Sequence, residues 1–391
     1  MRVRILALGL THYDHIDASE RGWVVLVDEA TGEEKWRVQA HDGVVCVAVS
    51  PDGRFVASMG NNDGHWRLWD AESGEVNRVR ATHDGTGACI CEDLDEWGHG
   101  RLVKAGCPVV AHSEFLWALS FSSCGQKIAT RDSAGAVIVW DVKTREAVPM
   151  EPLVRIHHEE GGEGPDCEQT SLSFSADGAR IASGDGGSSI GIWDVLTGAE
   201  LDDSAMNALH AEMRDLFVDI VTQVALSPTE DWKVAIAGWG TLQLWDVVHG
   251  EMLREFPDCS LIAVFSPDGR AIATHNGREG KLVDAESGEV LFSMVGHTHD
   301  ITAIAFSVPD GSKLASCSGD GACKVWDSST GALLRTINLG RSVTSVSWAR
   351  DWVRETQTAI AFAMGNHPRL GAESQVLEHE VGVVRMILDR V

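Results

Sequence analysis

Short segments in which apolar and small residues alternate recur along the chain. Residues 45–49 alternate Val with Cys and Ala, and in residues 301–306 Ile301, Ala303 and Ala305 alternate with Thr302, Ile304 and Phe306. A period of two, with both faces apolar or small, is typical of strands in a sheet that is covered on both sides. The pattern therefore predicts an all-β protein of short antiparallel strands.

Turn sequences separate these strands. Ser-Pro-Asp-Gly occurs at residues 50–53 and 266–269, and close variants occur at 175–178 and 309–311. Proline fixes φ at the first turn position, and glycine accepts the left-handed conformation that closes a hairpin. Each of these turns is expected to join two neighbouring antiparallel strands.

One cassette of strand, acidic residue and Gly-containing turn recurs seven times. Five copies end in Trp-Asp and two end in Val-Asp, and the copies end at Asp28, Asp70, Asp141, Asp194, Asp246, Asp284 and Asp327. The shorter intervals between copies are about 40 residues, and the longer ones contain insertions. One four-stranded sheet cannot bury both of its faces alone. Stacking such sheets around an axis buries them, and closing the ring leaves no end sheet exposed.

The most complete copy spans residues 296–327. It contains a Gly-His pair, an apolar strand, a Pro-Asp-Gly turn, a Leu-Ala-Ser strand, and Asp320 six residues before Trp326. These units resemble WD40 repeats over roughly residues 22–350. The resemblance implies a single WD40-type β-propeller of four-stranded antiparallel blades over residues 1–391, with an insertion at about residues 82–112.

The resemblance also implies a hydrogen-bonded tetrad that braces a blade, because buried polar groups must be paired. In the best copy its members are His297, Ser316 or Ser318, Asp320 and Trp326. The copy that ends at Trp69 offers His41 and Asp63 in the same roles. Three other copies lack the Asp, since Ala134, Gly187 and Trp239 stand in its place.

The blade number depends on how the two chain ends combine. Residues 2–8, 23–27 and 34–38 are predicted to be strands, and C-terminal strands are predicted at 343–348, 358–363 and 383–389. We expect one N-terminal strand to pair with C-terminal strands and close a ring of seven blades. Two separate incomplete blades would give eight instead.

Charge and composition limit the partners and the compartment. The net charge of −26 opposes binding to phosphate backbones, so we expect no nucleic acid partner. No segment reaches the ~20 apolar residues of a membrane span, and residues 5–8 are too short for a secretory signal. The nine scattered cysteines favour a reducing compartment, the cytoplasm or the nucleus. We expect a monomer.

The insertion and a later loop carry the candidate contact residues. Acidic residues beside an aromatic side chain suit an interface, because aromatic residues often anchor interfaces. The candidates are Glu92, Asp93, Asp95, Trp97, His157 and His158. One Cys-x-Cys at residues 89–91 with scattered His residues is a weak match to a zinc site, so we expect no metal.

No catalytic motif accompanies the repeats. The segment of residues 28–36 resembles the Trp-docking motif of quinoprotein propellers, but no other copy has the tryptophan. We therefore expect no cofactor and no catalytic residue. The resemblance to WD40 repeats implies a non-catalytic scaffold that binds peptides or partner proteins on its loops and central opening. A regulatory domain of a larger signalling protein and an enzyme with a site in the central channel are the alternatives.

Overall fold

The protein folds entirely into short antiparallel strands in the part described by this computed structural model. The structure describes residues 4–14, 19–41, 44–60, 65–81, 116–132, 135–142, 152–157, 171–184, 190–201, 221–238, 240–257 and 259–350. Within these residues, no helix has the length and apolar character needed to span a bilayer.

The strands form seven separate sheets, which we number as blades from the N-terminus. Six of the described sheets have four strands and one has three. Blade 1 contains β1 (Arg4–Asp14), β2 (Ser19–Asp28), β3 (Glu34–His41) and β27 (Ser342–Arg350). Blade 2 contains β4 (Val44–Val49), β5 (Phe55–Gly60), β6 (His65–Asp70) and β7 (Val76–Ala81). Blade 3 contains β8 (Leu116–Phe121), β9 (Lys127–Asp132), β10 (Ala136–Asp141) and β11 (Pro152–His157).

The remaining four blades repeat this order. Blade 4 contains β12 (Leu172–Phe174), β13 (Arg180–Gly184) and β14 (Ile190–Asp194), and a bridge from Trp193 to Glu200 begins a further strand pairing. Blade 5 contains β15 (Val221–Leu226), β16 (Lys233–Gly238), β17 (Thr241–Asp246) and β18 (Glu251–Pro257). Blade 6 contains β19 (Ser260–Phe265), β20 (Ala271–Asn276), β21 (Glu279–Asp284) and β22 (Val290–Met294). Blade 7 contains β23 (Ile301–Phe306), β24 (Lys313–Ser318), β25 (Ala322–Asp327) and β26 (Leu333–Asn338).

The blades close into a ring. The innermost strands are β27, β4, β8, β12, β15, β19 and β23, and each of them contacts the innermost strand of both neighbouring blades. Hydroxyl groups join some of these strands directly: Ser345 Oγ accepts a hydrogen bond of 2.7 Å from Val47 N–H, and Ser171 Oγ accepts one of 2.6 Å from Val224 N–H. The predicted seven-bladed propeller is confirmed.

The predicted composition of the closing blade was wrong. Blade 1 takes three strands from the N-terminal part of the chain and one from the C-terminal part, in the order β27-β1-β2-β3. β1 and β2 are also longer than predicted, because they pair as a hairpin from Ile5–Asp28 to Asp14–Ser19. The segments predicted as strands at 358–363 and 383–389 lie outside the described residues, as does the insertion at 82–112.

The core consists of the spaces between blades. The described residues contain seven apolar clusters, and each joins two neighbouring blades of the ring. In the cluster between blades 6 and 7, Leu282 and Met294 pack with Ile304, Leu314 and Trp326. Because each blade contributes one face to each of two clusters, no blade can bury its apolar residues without both neighbours.

The two ends of the ring differ in the connections that they carry. Since the strands in a blade are antiparallel, turns after the first and third strands lie at one end, which we call the turn end. Connections after the second strand, and those that cross to the next blade, lie at the other end, which we call the loop end. The Ser-Pro-Asp-Gly and Trp-Asp turns are therefore at the turn end.

Glycines at the turn end receive side chains from the preceding blade. The ring of Trp36 lies over Gly74 of blade 2, Arg254 lies over Gly288, and Phe292 lies over Gly331. In each case the covering residue stands four positions after the turn glycine of its own blade. The Trp36 indole also donates a hydrogen bond of 3.0 Å to Ala71 O, so the contact holds two neighbouring blades at the rim.

The aspartates that end the third strands fix the next turn. Asp327 Oδ1 accepts hydrogen bonds from the N–H groups and hydroxyls of Ser329 and Thr330, at 2.7–3.0 Å. These hydroxyls, and then the N–H groups, lower the pKa of Asp327 from its ordinary value of 3.8 to about 2. Asp194 and Asp284 make the same contacts with Thr197 and Ser287, and their pKa values are also lowered.

Replacing Gly331 by Ala tests the rim contact. Both Gly331 and Gly340 have a positive φ, of 72° and 70°, but only a Cβ at Gly331 would collide with the Phe292 ring, at 2.7 Å. Gly340→Ala should cost about 1 kcal/mol for the left-handed backbone alone, and Gly331→Ala about 1–3 kcal/mol more for the collision. The free energy of unfolding in urea measures both. Equal costs would show that Phe292 yields without penalty.

Replacing Asp327 by Asn tests the charge of the turn. The carboxyl pKa is lower in the folded chain than in the unfolded one, so its stabilisation is complete above about pH 5 and is lost as the pH falls towards about 2. The difference in unfolding free energy between wild type and Asp327→Asn should therefore shrink from about pH 5 to about pH 2. Asp300→Asn, in an exposed loop, is the control of equal charge. A difference that stays constant over this range would contradict the assignment.

Candidate functional site at the loop end

The structure brings the four candidate residues of blade 7 into one hydrogen-bonded chain. His297 Nδ1 lies 3.0 Å from Asp320 Oδ2, and His297 Nε2 lies 2.9 Å from Ser316 Oγ. Trp326 Nε1 donates to the same Ser316 oxygen at 2.9 Å. Ser316, and not Ser318, is therefore the serine in this chain. The imidazole is buried, and it joins the crossing segment before β23 to the middle strands β24 and β25.

Asp320 supplies the carboxylate of this four-residue hydrogen-bonded network. Burial acts to raise its pKa, but hydrogen bonds from Thr298 N–H, from the His297 imidazole and from Ala322 N–H outweigh burial, so its pKa is lowered. Thr298 N–H and Ala322 N–H lie 2.9 Å and 3.0 Å from its carboxylate oxygens. The carboxylate thus fixes two loop-end connections at once, the one that enters β23 and the one that enters β25.

Blade 2 contains the same hydrogen-bonded network in the part of the blade that the structure describes. His41 Nε2 lies 2.9 Å from Ser58 Oγ, and Trp69 Nε1 donates to Ser58 Oγ at 2.7 Å. Asp63, the fourth candidate, lies outside the described residues. Ser58 was absent from the predicted set, although it follows Val56 and Ala57 as Ser316 follows Leu314 and Ala315.

Other tryptophans find different acceptors. Trp140 Nε1 donates to Thr130 Oγ1 at 2.8 Å in blade 3, and Trp245 Nε1 donates to Gln243 Oε1 at 3.0 Å in blade 5. Blade 5 has the apolar Ile236 where the second strands of blades 2, 3, 4, 6 and 7 have Ser or Thr, so the acceptor comes from the tryptophan's own strand. Aligning the second strands on their apolar-Ala-Ser/Thr pattern would have found Thr130 and the exception at Ile236.

Blade 6 lacks the tryptophan but keeps the hydroxyl. Val283 stands in the Trp position, and Thr274 Oγ1 is buried with no hydrogen-bond partner among the described residues. Blade 1 also has a valine at this position, Val27, which pairs with Leu6. The position of the hydroxyl, two residues further along β1, is occupied by the apolar Leu8. In blade 1 the tryptophan donor and the hydroxyl acceptor are therefore both replaced by apolar residues. In blade 6 only the donor is replaced, and the hydroxyl of Thr274 remains.

Further hydrogen bonds hold the segment that carries exposed side chains at the loop end of blade 7. Ser318 Oγ donates to His299 O at 2.8 Å, and Ile301 N–H donates to Gly277 O of blade 6 at 2.9 Å. These hydrogen bonds fix the backbone, and the side chains of His299 and Asp300 are exposed to solvent. Asp300 also lies 4.0 Å from the exposed Arg278, a surface ion pair that adds little stability.

An arginine–tryptophan pair lies beside them, between blades 7 and 1. The Arg341 guanidinium stacks on the Trp23 ring at 3.8 Å from its centroid. Both residues are half-buried, and Arg341 Nη1 is shielded from solvent with no acceptor among the described residues. A half-buried arginine on an aromatic platform is suited to bind a carbonyl or carboxylate oxygen of a partner. The residues Trp23, Arg278, His299, Asp300 and Arg341 are here called the loop-end patch.

The predicted contact residues fall mostly outside this patch. Glu92, Asp93, Asp95, Trp97 and His158 lie outside the described residues, and His157 is known only as the last residue of β11. Trp23 and Arg341 were missed because they are 318 positions apart in the sequence and come together only when β27 joins β1 and β2. Within the described residues, no three His, Cys, Asp or Glu side chains converge as metal ligands.

Comparison with known families agrees with this geometry. The family model "WD domain, G-beta repeat" matches residues 32–70, 160–194 and 288–327. The third match contains the complete chain of His297, Ser316, Asp320 and Trp326, and the surrounding sheets form seven propeller blades. The chain therefore contains WD40 repeats at these three positions.

Several curated proteins are similar to this WD40 protein. Cell division cycle 20.1, cofactor of APC complex, from Arabidopsis thaliana is 25% identical over 83% of this chain and 61% of that protein. The nuclear distribution protein nudF of Aspergillus niger is 25% identical over 78% of this chain and 64% of its own length. The methylosome protein WDR77 of Xenopus laevis is 25% identical over 57% of this chain and 64% of its own length. The chain thus spans less than two thirds of each of these relatives.

Two substitutions that each remove a hydroxyl test the hydrogen-bonded network of His297, Ser316, Asp320 and Trp326. Ser316→Ala removes the group shared by His297 and Trp326 and leaves both buried, so it should lower the free energy of unfolding by about 2–4 kcal/mol. Thr274→Val removes a buried hydroxyl that has no partner and keeps the shape, so it should be neutral or stabilising by about 1 kcal/mol. Urea unfolding followed by tryptophan fluorescence measures both. A larger loss for Thr274→Val than for Ser316→Ala would contradict the assignment.

Proposed function

We propose that this WD40 protein is a non-catalytic scaffold that binds a partner protein or peptide through the loop-end patch. The observation that carries the proposal is the stacked Arg341–Trp23 pair, a half-buried cation on an aromatic ring at a junction between two blades. Arg and Trp are enriched among the residues that dominate binding energy at protein interfaces.

The frame around the patch favours binding without large rearrangement. Asp320 and His297 tie the neighbouring loop-end segment to the middle of blade 7, and Gly321 lies against the backbone of Arg341. A ligand that binds a pre-ordered surface avoids much of the entropy cost of ordering loops. His299 and Asp300 add exposed polar groups that can select among partners, since loops on a rigid scaffold can vary without disturbing the frame.

The relatives support a role in assemblies. One is named as a cofactor of the APC complex and another as a methylosome protein, so each is named for a multi-protein assembly. By analogy, we propose that this chain holds partner proteins near one another and raises their effective concentration. We place it in the cytoplasm or the nucleus, because the nine scattered cysteines favour a reducing compartment. A regulatory domain within a longer protein would use the same patch.

Charge reversal tests the proposal. The affinity-tagged chain and its Arg341→Glu variant are expressed in the native host, and the co-purified proteins are quantified by mass spectrometry. Arg341→Glu should reduce recovery of at least one stoichiometric partner by about tenfold or more, because it replaces the stacked cation with a carboxylate of opposite charge. Arg270→Glu makes the same change at an exposed position of the turn end and should leave recovery unchanged.

Each alternative outcome of this experiment has a defined meaning. Equal loss with Arg341→Glu and Arg270→Glu would overturn the assignment to the loop end. Equal recovery of partners by the wild-type chain and both variants, or the absence of any stoichiometric partner, would also overturn the assignment. Thermal unfolding of both variants establishes that the comparison is made between folded proteins.

A further inference from the structure

The outer strand of blade 6, β22, differs from the other outer strands that the structure describes. Its sequence, Val-Leu-Phe-Ser-Met, contains no charged residue, whereas β3, β7, β11, β18 and β26 each contain at least one. An outer strand has one edge of unpaired N–H and C=O groups, and proteins usually protect such edges with charge, proline or a covering element. β22 has no protecting charge of its own.

Apolar side chains are exposed along this same edge. Val290 and Leu291 are 53% and 52% exposed, and Val295, directly after the strand, is 68% exposed. The outer strands of the two neighbouring blades add Leu253 and Leu334, at 42% and 48%. Single exposed apolar residues are ordinary. Here they accompany a row of available backbone groups, which is the combination that strand addition requires.

The strand is held rigidly from its inner side. The Phe292 ring lies over Gly331 of blade 7, and the buried Met294 side chain lies against Gly280 and Ile301. β22 is also paired to β21 from Gly280–Met294 to Val283–Val290. The exposed edge therefore exists before any ligand arrives, and binding does not have to order it.

The charge around the edge selects the ligand. Exposed carboxylates flank it at Glu286 and Glu289 in the preceding turn, and at Glu251 and Glu255 on the neighbouring β18. The whole chain carries a net charge of −26. A second copy of this chain would meet like charge, whereas a segment with Lys or Arg beside its apolar residues would meet opposite charge.

We propose that the outer edge of β22 binds an extended apolar segment of a partner protein, flanked by Lys or Arg, as a fifth strand of blade 6. Main-chain hydrogen bonds to β22 supply affinity. Apolar side chains of the segment pack on the exposed apolar side chains of Val290, Leu291 and Val295, and its basic flanks meet the four glutamates. This surface is separate from the loop-end patch and does not depend on the function proposed for that patch.

A designed peptide tests the edge directly. The probe is fluorescein-labelled Lys-Lys-Val-Thr-Val-Thr-Val-Thr-Lys-Lys, and its twin carries N-methyl groups on the three valines, so that one of its edges cannot donate. Fluorescence anisotropy should show saturable binding of the probe and binding of the twin weakened by about tenfold or more. Hydrogen exchange of the amides in residues 290–294 should slow when the probe binds.

Two lysine substitutions locate the binding. Leu291→Lys places a charge on the edge and should weaken probe binding by about tenfold or more. Leu196→Lys makes the same change in a turn of blade 4, where the leucine is 76% exposed, and should leave binding unchanged. Arg341→Glu should also bind the probe normally, which separates this result from a failure of the function proposed above. Circular dichroism establishes that all three variants are folded.

The opposing outcomes are equally specific. Absence of saturable binding, equal binding of the N-methylated twin, or equal loss with Leu291→Lys and Leu196→Lys would overturn the proposal. Sedimentation velocity of the wild-type chain addresses a second copy as the occupant. A concentration-dependent dimer that Leu291→Lys abolishes would assign the edge to self-association and overturn the proposal as well.

Discussion

Each blade of this protein has two apolar faces and cannot bury either of them alone. The seven clusters between blades are the only large apolar cores among the described residues, and each requires two neighbouring sheets. Closing the ring through β27 and β1 supplies the last neighbour. Because β1 and β27 pair in one sheet, the fold depends on a contact between residues more than 300 positions apart, which makes closure a long-range event in folding.

The buried polar groups follow the same logic on a smaller scale. A tryptophan N–H between blades needs an acceptor, and the chain supplies Ser316, Ser58, Thr130 or Gln243 in different blades. Where the tryptophan is replaced and the hydroxyl is kept, as at Thr274, the buried hydroxyl has no hydrogen-bond partner among the described residues. Blades with a complete network are therefore expected to open less readily than blade 6, since local stability follows buried contacts and satisfied hydrogen bonds.

The division of the ring into two ends explains where recognition can occur. At the turn end, short turns are covered by the preceding blade, and Trp36, Arg254 and Phe292 occupy the space above the glycines. At the loop end, connections are fixed at their bases by His297 and Asp320 while their outer side chains stay free. The outer edge of β22 is a third kind of surface, because no described strand pairs with its backbone groups and the strand contains no charged residue. Stiffness and binding capacity thus lie in different parts of the same repeat.

Much of this fold could be predicted from the sequence, because its signals are local and repeated. The two-residue period, the Ser-Pro-Asp-Gly turns and the Trp-Asp endings each act within one hairpin, so they indicate the strands, the blade type and the seven copies without reference to distant residues. The position of His297 before Trp326 and the interval to Asp320 likewise lie within one unit, and the structure joins these side chains at 2.9–3.0 Å.

Other features depended on the tertiary structure. The sequence did not show that β27 alone joins three N-terminal strands, that Gln243 replaces a hydroxyl, or that Arg341 stacks on Trp23. Each of these pairs residues that the local pattern does not relate, because closure of the ring and the packing of neighbouring blades decide which side chains share a buried space. The chain by itself determined the repeating unit, and only the closed ring determined which surfaces remain open.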